Sequence, residues 1–283
     1  MPITQSFTLC GEFPVCRIGF GAMRLTGPNE WGPPANWEQS LDVALRAVEL
    51  GASYLDTADA YGPGINEEQL AEALHPYPDG LVIGTKAGQS RPGPEDWVPL
   101  GRPEYLRQQC ELSLRRLRVD QISLFWLHRV DPLVSFDDQM GALKQLQEEG
   151  KIRHIGLSEV SVAEIERARG IVDITAVQNL YNLLDRRHEP VVEYCDRENI
   201  AFVPWLPVAG GKLTEPSGPV SVIARELGAT AAQVALAWLL HRSPVIIPIP
   251  GTSSIKHLEE NMSALTISLT GAQIEKLSSL ASA

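Results

Sequence analysis

The sequence has few cysteines, and those it has are not arranged to bind a metal. Only 4 of the 283 residues are cysteine. None of these share a CxxC spacing, and no Cys/His cluster has the spacing of metal ligands, so no metal site is expected. The thiols of Cys10, Cys16, Cys110 and Cys195 are expected to be free, as in the reducing cytoplasm. An alternative is that Cys10 and Cys16 face each other across an N-terminal hairpin.

Positive charge and long apolar runs are also scarce. The chain has 24 basic against 35 acidic residues, a formal net charge of −11. Such a chain repels nucleic acid and anionic membrane surfaces, so any anionic ligand must be held by a local cluster of donors. No apolar stretch approaches the ~20 residues of a membrane span. The first residues lack a basic region followed by an apolar run, so no signal peptide is expected. The sequence gives no indication of oligomeric state.

The chain also lacks a GxGxxG motif after its first predicted strand, which disfavours an open dinucleotide-binding sheet. It contains instead short apolar runs that alternate with helical patterns. Near-continuous apolarity is typical of strands that are buried on both faces of a parallel sheet. The eight predicted strands are Arg17–Met23, Tyr54–Ala58, Leu81–Lys86, Ile122–His128, Ile152–Ser158, Thr175–Asn179, Ala201–Trp205 and Val245–Pro250.

A helical pattern follows each of these strands. The predicted helices are Trp37–Leu50, Glu67–Leu74, Arg102–Leu117, Phe136–Glu149, Ala163–Arg169, Glu189–Glu198, Ala231–His241 and Lys256–Leu265. Eight such units in a chain of this length predict one domain, residues 1–283, folded as a closed (β/α)₈ TIM barrel. Two segments fall outside the repeat. Ser6–Val15 is expected to form a hairpin that plugs the barrel bottom, and Thr270–Ser279 an extra C-terminal helix capped by Thr270.

Four chemically active side chains follow three consecutive strands. In such barrels the active residues lie at the carboxyl ends of strands and in the following loops. Strand two ends in DTADAYG, which offers Asp56 and Tyr61; strand three ends in TK, which offers Lys86; strand four ends in LHR, which offers His128. A carboxylate, a phenol, an amine and an imidazole are therefore expected at one barrel mouth.

This set of side chains suits carbonyl reduction, which needs a hydride on carbon and a proton on oxygen. A phenol is a weak acid near neutrality, with a pKa of about 10. A nearby Lys86 ammonium favours the phenolate and makes Tyr61 a stronger acid. Asp56 would keep Lys86 charged, and His128 would hydrogen-bond the carbonyl oxygen. Alcohol oxidation would use the same groups, with Tyr61 as the base.

At these residues the sequence resembles the aldo-keto reductase superfamily. The resemblance runs from GFGAMRL at Gly19 to the last predicted helix, and includes DTADAYG, GTK, LHRVDP, GKIRHIGLS, VQNLYNLLDR and IPGTSSIKHLEEN. It implies a catalytic tetrad, carried here by Asp56, Tyr61, Lys86 and His128. It also implies NADP(H), NADPH or NADP⁺, bound in an extended form across the barrel mouth.

The resemblance assigns cofactor contacts position by position. Ser158 and Gln178 would hydrogen-bond the nicotinamide amide, and Trp205 would stack on its ring. The segment Gly251–His257 would hold the 2′-phosphate through Ser253, Ser254 and Lys256, in agreement with anion binding at helix N-termini and late barrel loops. The adenine contacts would come from Glu260 and Asn261.

Three residues depart from the family pattern. Trp205 replaces a more usual tyrosine and keeps a stacking face. His257 stands where many NADP-specific members have arginine, so a bidentate phosphate clamp is lost. The preference for NADP over NAD is therefore left open, and the neighbouring Lys256 is the residue that would compensate. Glu159 replaces an asparagine; its carboxylate can accept from the nicotinamide amide but cannot donate. We expect Glu159 to favour NADP⁺ over NADPH; the alternative is that it points to solvent.

Aromatic residues near the barrel mouth indicate a flat or apolar substrate. The expected substrate pocket comprises Met23, Trp31, Trp97 and Trp126. The segments GPPANW, EALHPYPDGLVI, SRPGPEDWVPLGRPE and LHRVDP resemble a bacterial branch that includes pyridoxal reductases, and pyridoxal is a planar aldehyde that would fit such a pocket.

Two other functions remain open at this point. One is a Schiff-base aldolase with Lys86 as nucleophile, against which Asp56 argues because it would keep the amine protonated. The other is an NADP(H)-binding sensor or regulatory subunit with little turnover. The physiological substrate and the direction of the reaction are not determined by the sequence.

Overall fold

The structure, a computed structural model, describes residues 4–211, 213 and 218–281. The strands are β1 Ser6–Leu9, β2 Phe13–Cys16, β3 Phe20–Gly21, β4 Tyr54–Asp56, β5 Val82–Ala87, β6 Gln89–Ser90, β7 Val98–Pro99, β8 Ile122–Leu127, β9 Ile152–Ser158, β10 Ala176–Gln178 and β11 Ala201–Phe202. The α-helices are α1 Trp37–Glu49, α2 Ile65–Leu74, α3 Pro103–Leu117, α4 Phe136–Glu148, α5 Val162–Arg169, α6 Glu189–Glu198, α7 Pro219–Leu227, α8 Ala231–Arg242, α9 Ile255–Ser263 and α10 Gly271–Ser278.

The central sheet is parallel and is ordered β11-β10-β9-β8-β5-β4-β3. Its two edges are joined by residues 245–250. On one side Phe202 N donates to Val245 O at 2.9 Å and Ile247 N to Phe202 O at 2.8 Å. On the other side Gly19 N donates to Pro248 O at 3.0 Å. The segment therefore takes the eighth strand position and closes the barrel, as the sequence predicted.

The eighth segment is nevertheless not a regular strand. Pro248 and Pro250 have no backbone N–H, so the segment can only accept at these positions and the usual ladder is not completed. The side chain of Arg17 supplies some of the hydrogen bonds that the backbone ladder lacks here. Its guanidinium donates to Ser243 O at 2.6 Å and to Ile246 O at 3.1 Å. Backbone hydrogen bonds and one buried arginine therefore close the barrel.

The helices begin where capping residues occur in the sequence. Three helices start with a capping box, in which the first side chain and the fourth exchange hydrogen bonds with backbone N–H groups. These pairs are Ser161 and Glu164 in α5, Thr230 and Gln233 in α8, and Thr270 and Gln273 in α10. The predicted C-terminal helix with Thr270 as its cap is thus confirmed.

Other sequence predictions hold with small changes. The N-terminal hairpin forms, and its Leu9 and Val15 are buried among residues of the barrel interior. Cys16 pairs with Ser6 rather than with Cys10, and all four cysteines are free. Helix α7 was not predicted.

Among the described residues no single helix is long and apolar enough to cross a membrane. Helices α7 and α8 together have such length and composition, but they are bent by 96° relative to each other.

The barrel interior depends on one close approach between a tryptophan and a glycine. Trp126 on β8 is fully buried, and its register partner on β9 is Gly156. A Cβ at Gly156 would lie only 2.2 Å from Trp126 Cε3. The indole therefore occupies the space that any side chain at residue 156 would need.

We expect Gly156→Ala to destabilise the protein by about 1–3 kcal/mol or more, because overpacking forces the indole or the strand to move. The matched control is Gly141→Ala in α4, where an added Cβ meets nothing within 4 Å. That change should be neutral or stabilising by roughly 0.5–1 kcal/mol, since alanine is favoured in a helix interior. Urea denaturation of the three proteins measures both effects; equal unfolding free energies for the two variants would contradict the packing account.

Candidate active site

A cavity of about 460 Å³ opens at the carboxyl ends of the barrel strands. Nine of the residues predicted for the site line it: Met23, Asp56, Tyr61, Trp97, His128, Ser158, Gln178, Trp205 and Gly251. Lys86 lies directly behind this wall, where it is in contact with Asp56 and Tyr61. The four residues of the expected tetrad are therefore brought together.

A buried ion pair forms the floor of the site. Lys86 is fully buried, and its Nζ donates to Asp56 Oδ1 and, at 2.7 Å, to the carbonyl oxygen of Thr57. The other oxygen of Asp56 accepts from Tyr54 Oη at 2.8 Å and from Gln178 Nε2 at 2.9 Å. Burial alone would lower the pKa of Lys86, but the charge of Asp56 and contacts with Tyr61 raise it overall. The amine is held as an ammonium.

The Lys86 ammonium lies next to the Tyr61 hydroxyl, with Nζ and Oη 3.5 Å apart. The sequence predicted that this contact would make the phenol more acidic, and Lys86 does lower its pKa. Burial raises the pKa by a larger amount, so the net direction is upward from 10. Tyr61 is therefore a protonated phenol at neutral pH, and Lys86 is placed to stabilise the phenolate that remains when it gives up its proton.

His128 is the uncharged member of the group. Its imidazole ring packs edge-on against Tyr61, with ring centroids 5.8 Å apart. Burial, together with the charges of Lys86 and Arg129, holds the pKa of His128 well below 6.5. Its Nδ1 is buried and, among the described residues, has no hydrogen-bond partner. A neutral imidazole at this position can donate one hydrogen bond to a carbonyl oxygen without transferring a full charge.

Backbone pairing beyond the end of β4 aligns the tetrad. Thr57 N donates to Gly84 O at 2.9 Å and Asp59 N to Lys86 O at 3.1 Å, so the loop that carries Tyr61 starts in register with β5. Thr57 Oγ1 also donates to Asn66 Oδ1 at 2.6 Å, which ties the loop to the start of α2. The sequence DTADAYG thus places Asp56 at the end of β4 and Tyr61 five residues later, in the turn that leads to α2.

Two of the residues expected at the nicotinamide lie at the ends of β9 and β10. Ser158 and Gln178 are neighbours in register across β9 and β10, and both are nearly fully buried. Ser158 Oγ accepts from Arg129 Nη1 at 3.0 Å, and Gln178 donates to Asp56. Among the described residues the hydroxyl proton of Ser158 and the side-chain carbonyl oxygen of Gln178 have no partner, so both are available to a ligand. Trp205 is half-buried at the cavity edge.

The carboxylate of Glu159 is used by the protein itself. Its Oε1 accepts from Trp205 Nε1 at 2.6 Å and from Leu180 N at 2.6 Å, and its Oε2 lies 3.4 Å from His188 Nε2. The alternative that Glu159 points to solvent is therefore wrong. The expected contact with the nicotinamide amide would have to share an oxygen that already orients the indole of Trp205.

The residues expected at the 2′-phosphate lie at the start of α9. Ser254 is the N-cap of this helix, and its Oγ accepts from His257 N at 3.4 Å. Ser253, Lys256 and His257 are exposed. The side chain of Lys256 is exposed, and among the described residues its ion pair is with Glu260, at an Nζ–Oε1 distance of 3.9 Å. Gly251 lines the main cavity, and Ser253 lines an adjoining one of about 420 Å³ that shares Met23 and Arg24 with it.

The two residues expected at the adenine, Glu260 and Asn261, lie farther along α9. The side chain of Asn261 is buried, and that of Glu260 is half-buried. Their positions almost two helical turns beyond the cap Ser254 are compatible with a ligand that extends from the main cavity past Gly251.

The predicted substrate tryptophans are found in three different environments. Trp97 lines the cavity, with its ring centroid 6.3 Å from that of Tyr61 and 6.4 Å from that of His128. Trp31 is half-buried beside the cavity but does not line it. The prediction for Trp126 is wrong, because this residue is fully buried in the core. Trp126 and His128 share a face of the strand, but Trp126 lies two residues, about 6–7 Å, deeper.

Sequence reasoning missed Arg91, which holds the two outer tryptophans. Its guanidinium carbon lies 3.7 Å from the ring centroid of Trp97 and 5.5 Å from that of Trp31. Its nitrogens donate to five backbone carbonyls, those of Asn29, Glu30, Ala60, Pro94 and Asp96. These carbonyls belong to three loops around the mouth. Backbone acceptors leave no pattern in the sequence, so only the structure reveals this arginine.

Sequence reasoning also missed Arg129, which lines the cavity beside Ser158. This residue did leave a signal, since it directly follows His128 at the end of β8, where site residues are expected. Among the described residues, no group of three or more His, Cys, Asp or Glu side chains is arranged to hold a metal ion.

We expect the stability that Glu159 contributes to disappear at acid pH. Burial alone would raise the pKa of Glu159, but the contacts with His188, Trp205 and Leu180 together lower it to about 2. The unfolded value is about 4.3, so the contribution is complete above that pH and is lost as the pH falls towards 2. Glu159→Gln should cost roughly 1–3 kcal/mol near neutrality and progressively less below about pH 4.5.

Urea denaturation of wild type and Glu159→Gln across this pH range is the measurement. Trp205→Phe is the matched background, because it removes the indole donor; there the pH-dependent part of the difference should shrink. A difference that stays constant with pH would show that the Glu159 carboxylate is not stabilised by these contacts.

Comparisons with known proteins identify the family of this chain. The sequence profile of the Aldo/keto reductase family matches residues 17–282. An uncharacterized oxidoreductase of Schizosaccharomyces pombe is 46% identical over 267 residues, which cover 94% of this chain and 87% of that protein. The pyridoxine 4-dehydrogenase of Escherichia coli is 39% identical over 273 residues, which cover 94% of this chain and 95% of that protein.

A solved structure gives the same result for the fold. The aldo/keto reductase from Klebsiella pneumoniae in complex with NADP and acetate superposes with a TM-score of 0.82 and 26% identity, covering 98% of this chain and 95% of that one. The match of the family profile to nearly the whole chain, around an assembled Asp, Tyr, Lys and His group, leads to one conclusion: this chain belongs to the aldo/keto reductase family.

Proposed function

We propose that the protein, as one barrel domain of residues 1–283, reduces an aldehyde or ketone to the alcohol with NADPH, and that Tyr61 is the proton donor. The observation that carries the proposal is the contact between the Tyr61 hydroxyl and the Lys86 ammonium, 3.5 Å apart, at the floor of the cavity. A protonated phenol and a neutral imidazole at the cavity, with a fixed ammonium behind the phenol, are what a carbonyl oxygen needs when it becomes a hydroxyl.

The residues of the cavity fit the proposed cofactor. Ser158 and Gln178 offer a free hydroxyl proton and a free carbonyl oxygen side by side, and Trp205 offers an indole face held by Glu159. The adjoining second cavity shares Met23, Arg24 and Glu30 with the main one and is also lined by Ser253, just before α9. An extended dinucleotide would therefore have its nicotinamide at Ser158 and a phosphate near Ser253, Lys256 and His257, where a helix N-terminus favours an anion.

In the proposed reaction NADPH, when bound, supplies the hydride to the carbonyl carbon. The carbonyl oxygen lies between Tyr61 Oη and the His128 ring. As negative charge grows on this oxygen, Tyr61 donates its proton and His128 donates a hydrogen bond. The charge then left on Tyr61 is stabilised by Lys86, and Asp56 keeps Lys86 protonated and in place. Trp97 packs edge-on against Tyr61 and His128 in the cavity, where it would limit the entry of water.

Pyridoxal is the substrate we propose, with pyridoxine as the product. The support is the 39% identity to the pyridoxine 4-dehydrogenase of E. coli, together with a cavity whose wall includes the flat ring of Trp97 next to Tyr61. A planar aromatic aldehyde would pack against the indole while its carbonyl group reaches the tetrad.

The contacts of Lys86 also bear on the alternative of a Schiff-base aldolase. A Schiff-base aldolase needs an unprotonated lysine. Here Asp56 and Tyr61 raise the pKa of Lys86 despite the opposing effect of its burial, so the amine stays charged. The sensor or regulatory subunit makes the same cofactor contacts and differs only in turnover, which the following experiment measures.

We expect the purified protein to bind NADPH more tightly than NADH and to oxidise NADPH when pyridoxal or another aromatic aldehyde is added. Tyr61→Phe should lower kcat by about 10²–10⁴-fold, the usual contribution of a positioned proton donor, and leave the dissociation constant of NADPH unchanged. Fluorescence titration and NADPH consumption measure the two quantities. Binding without turnover of any aldehyde would replace the reductase proposal with the sensor, and covalent trapping of substrate on Lys86 by borohydride would replace it with the aldolase.

We expect different pH profiles for the two directions of the reaction. Burial raises the pKa of Tyr61 above 10. Burial and the charges of Lys86 and Arg129 lower the pKa of His128 well below 6.5. Neither group then titrates between about pH 6 and 9, so kcat for reduction should be flat there, whereas alcohol oxidation, which needs the phenolate, should rise with pH. Steady-state kcat in both directions is the measurement. A fall in kcat for reduction centred near neutral pH would show that one of these groups titrates in that range.

A further inference from the structure

Arg129 presents an unused guanidinium edge to the active-site cavity. One nitrogen, Nη1, donates to the carbonyl oxygen of His128 at 2.6 Å and to Ser158 Oγ at 3.0 Å. A guanidinium has five N–H donors. Those on Nε and Nη2 have no hydrogen-bond acceptor within the part of the chain that the structure describes, and the side chain lines the cavity. Arg129 is therefore anchored at one end and open at the other.

The charge of Arg129 is also unpaired. In the described ranges no carboxylate lies within ion-pair distance of it, although eleven other arginines form such pairs. Glu159 is a nearby acid, and its Oε1 accepts from Trp205 and Leu180, while its Oε2 lies 3.4 Å from His188 Nε2. Burial lowers the pKa of Arg129 from its usual value, which shows the cost of keeping this cation away from water. Arg129 is half-buried, and a charge that is partly withdrawn from water without a partner is stabilised by an oppositely charged ligand.

The position of Arg129 points to the substrate as the source of that ligand. Arg129 directly follows His128, whose carbonyl oxygen it holds, and it faces the cavity that Tyr61 and Trp97 also line. An oxyanion bound to Nε and Nη2 would thus be close to a carbonyl group held by Tyr61 and His128. Planar guanidinium groups bind carboxylate and phenolate oxygens through paired, charge-assisted hydrogen bonds.

We infer that Arg129 determines substrate specificity by binding an anionic oxygen, a phenolate or a carboxylate, that the substrate carries beside its carbonyl group. The inference rests on the proposed reductase function and makes it more specific, because it selects carbonyl compounds with an adjacent oxyanion over neutral ones. Pyridoxal is one such compound, since its ring hydroxyl is adjacent to the aldehyde. The competing role for the free guanidinium edge is a hydrogen bond to the nicotinamide amide oxygen, beside Ser158.

Binding of inert ligands tests the anion site without turnover. Calorimetric titration of the NADP⁺-saturated protein would compare benzoate with nitrobenzene, a neutral molecule of nearly the same shape. In Arg129→Met the dissociation constant of benzoate should rise roughly 10- to 100-fold, as expected for a lost charge-assisted hydrogen bond, and that of nitrobenzene should stay within about threefold. Arg129→Lys, which keeps the charge but not the fork, should give an intermediate value and is the second variant if Arg129→Met does not fold.

Turnover of a second pair of compounds separates this inference from the reductase proposal. Pyridoxal and pyridine-4-carbaldehyde, which lacks the ring hydroxyl, would be reduced by wild type and both variants. The ratio of their kcat/KM values should fall roughly 10- to 100-fold in Arg129→Met. If benzoate binding depends on Arg129 but wild type reduces neither aldehyde, the reductase proposal fails and the anion site stands.

The inference is overturned if benzoate and nitrobenzene weaken equally, or if benzoate binding does not change in the variants. It is also overturned if NADPH binding weakens in Arg129→Met while both small ligands are unaffected, because the guanidinium would then serve the nicotinamide amide. In either case reduction of pyridine-4-carbaldehyde by wild type would leave the reductase proposal intact.

Discussion

The ion pair between Asp56 and Lys86 is the interaction on which the site depends. Two opposite charges lie at the floor of the cavity with almost no exposure to water. Such a pair is tolerated only when the remaining donors and acceptors are satisfied. Tyr54 and Gln178 satisfy Asp56, and the Thr57 carbonyl satisfies Lys86. Residues from β4, β5 and β10 are thereby fixed relative to one another, and Tyr61 and His128 are built on this base.

Two arginines near the cavity show how partners decide what a charge does. Arg91 is surrounded by five carbonyls and two indoles, so it has no capacity left for a ligand and acts as a clamp on the loops of the mouth. Arg129 uses a single nitrogen on the protein and leaves the rest of its fork facing the cavity. The same side chain is structural in one place and available for recognition in the other, because of the acceptors that the backbone supplies.

Glu159 and Trp126 show where reasoning from a resemblance or from residue type meets its limit. Glu159 replaces an asparagine in a motif that contacts the cofactor, but its carboxylate turns to the indole of Trp205 and the N–H of Leu180. Trp126 has the residue type of a substrate contact and lies on the correct face of β8, but it packs over Gly156 one layer below the site. The contacts of Glu159 and the burial of Trp126 depend on the depth and direction of the side chain in the folded barrel. The order of residues in the sequence does not contain this information.

The sequence by itself determined the barrel, the boundaries of most elements to within a few residues, and the group Asp56, Tyr61, Lys86 and His128. These follow from local properties: apolar runs, capping residues and the rule that parallel strands end on the same side. Tertiary structure alone decided how the barrel closes through a proline-containing segment, which tryptophan faces the cavity, and which arginine keeps free donors. Those features depend on hydrogen bonds between residues distant in sequence, and on burial that opposes the effect of a neighbouring charge, as for the phenol of Tyr61.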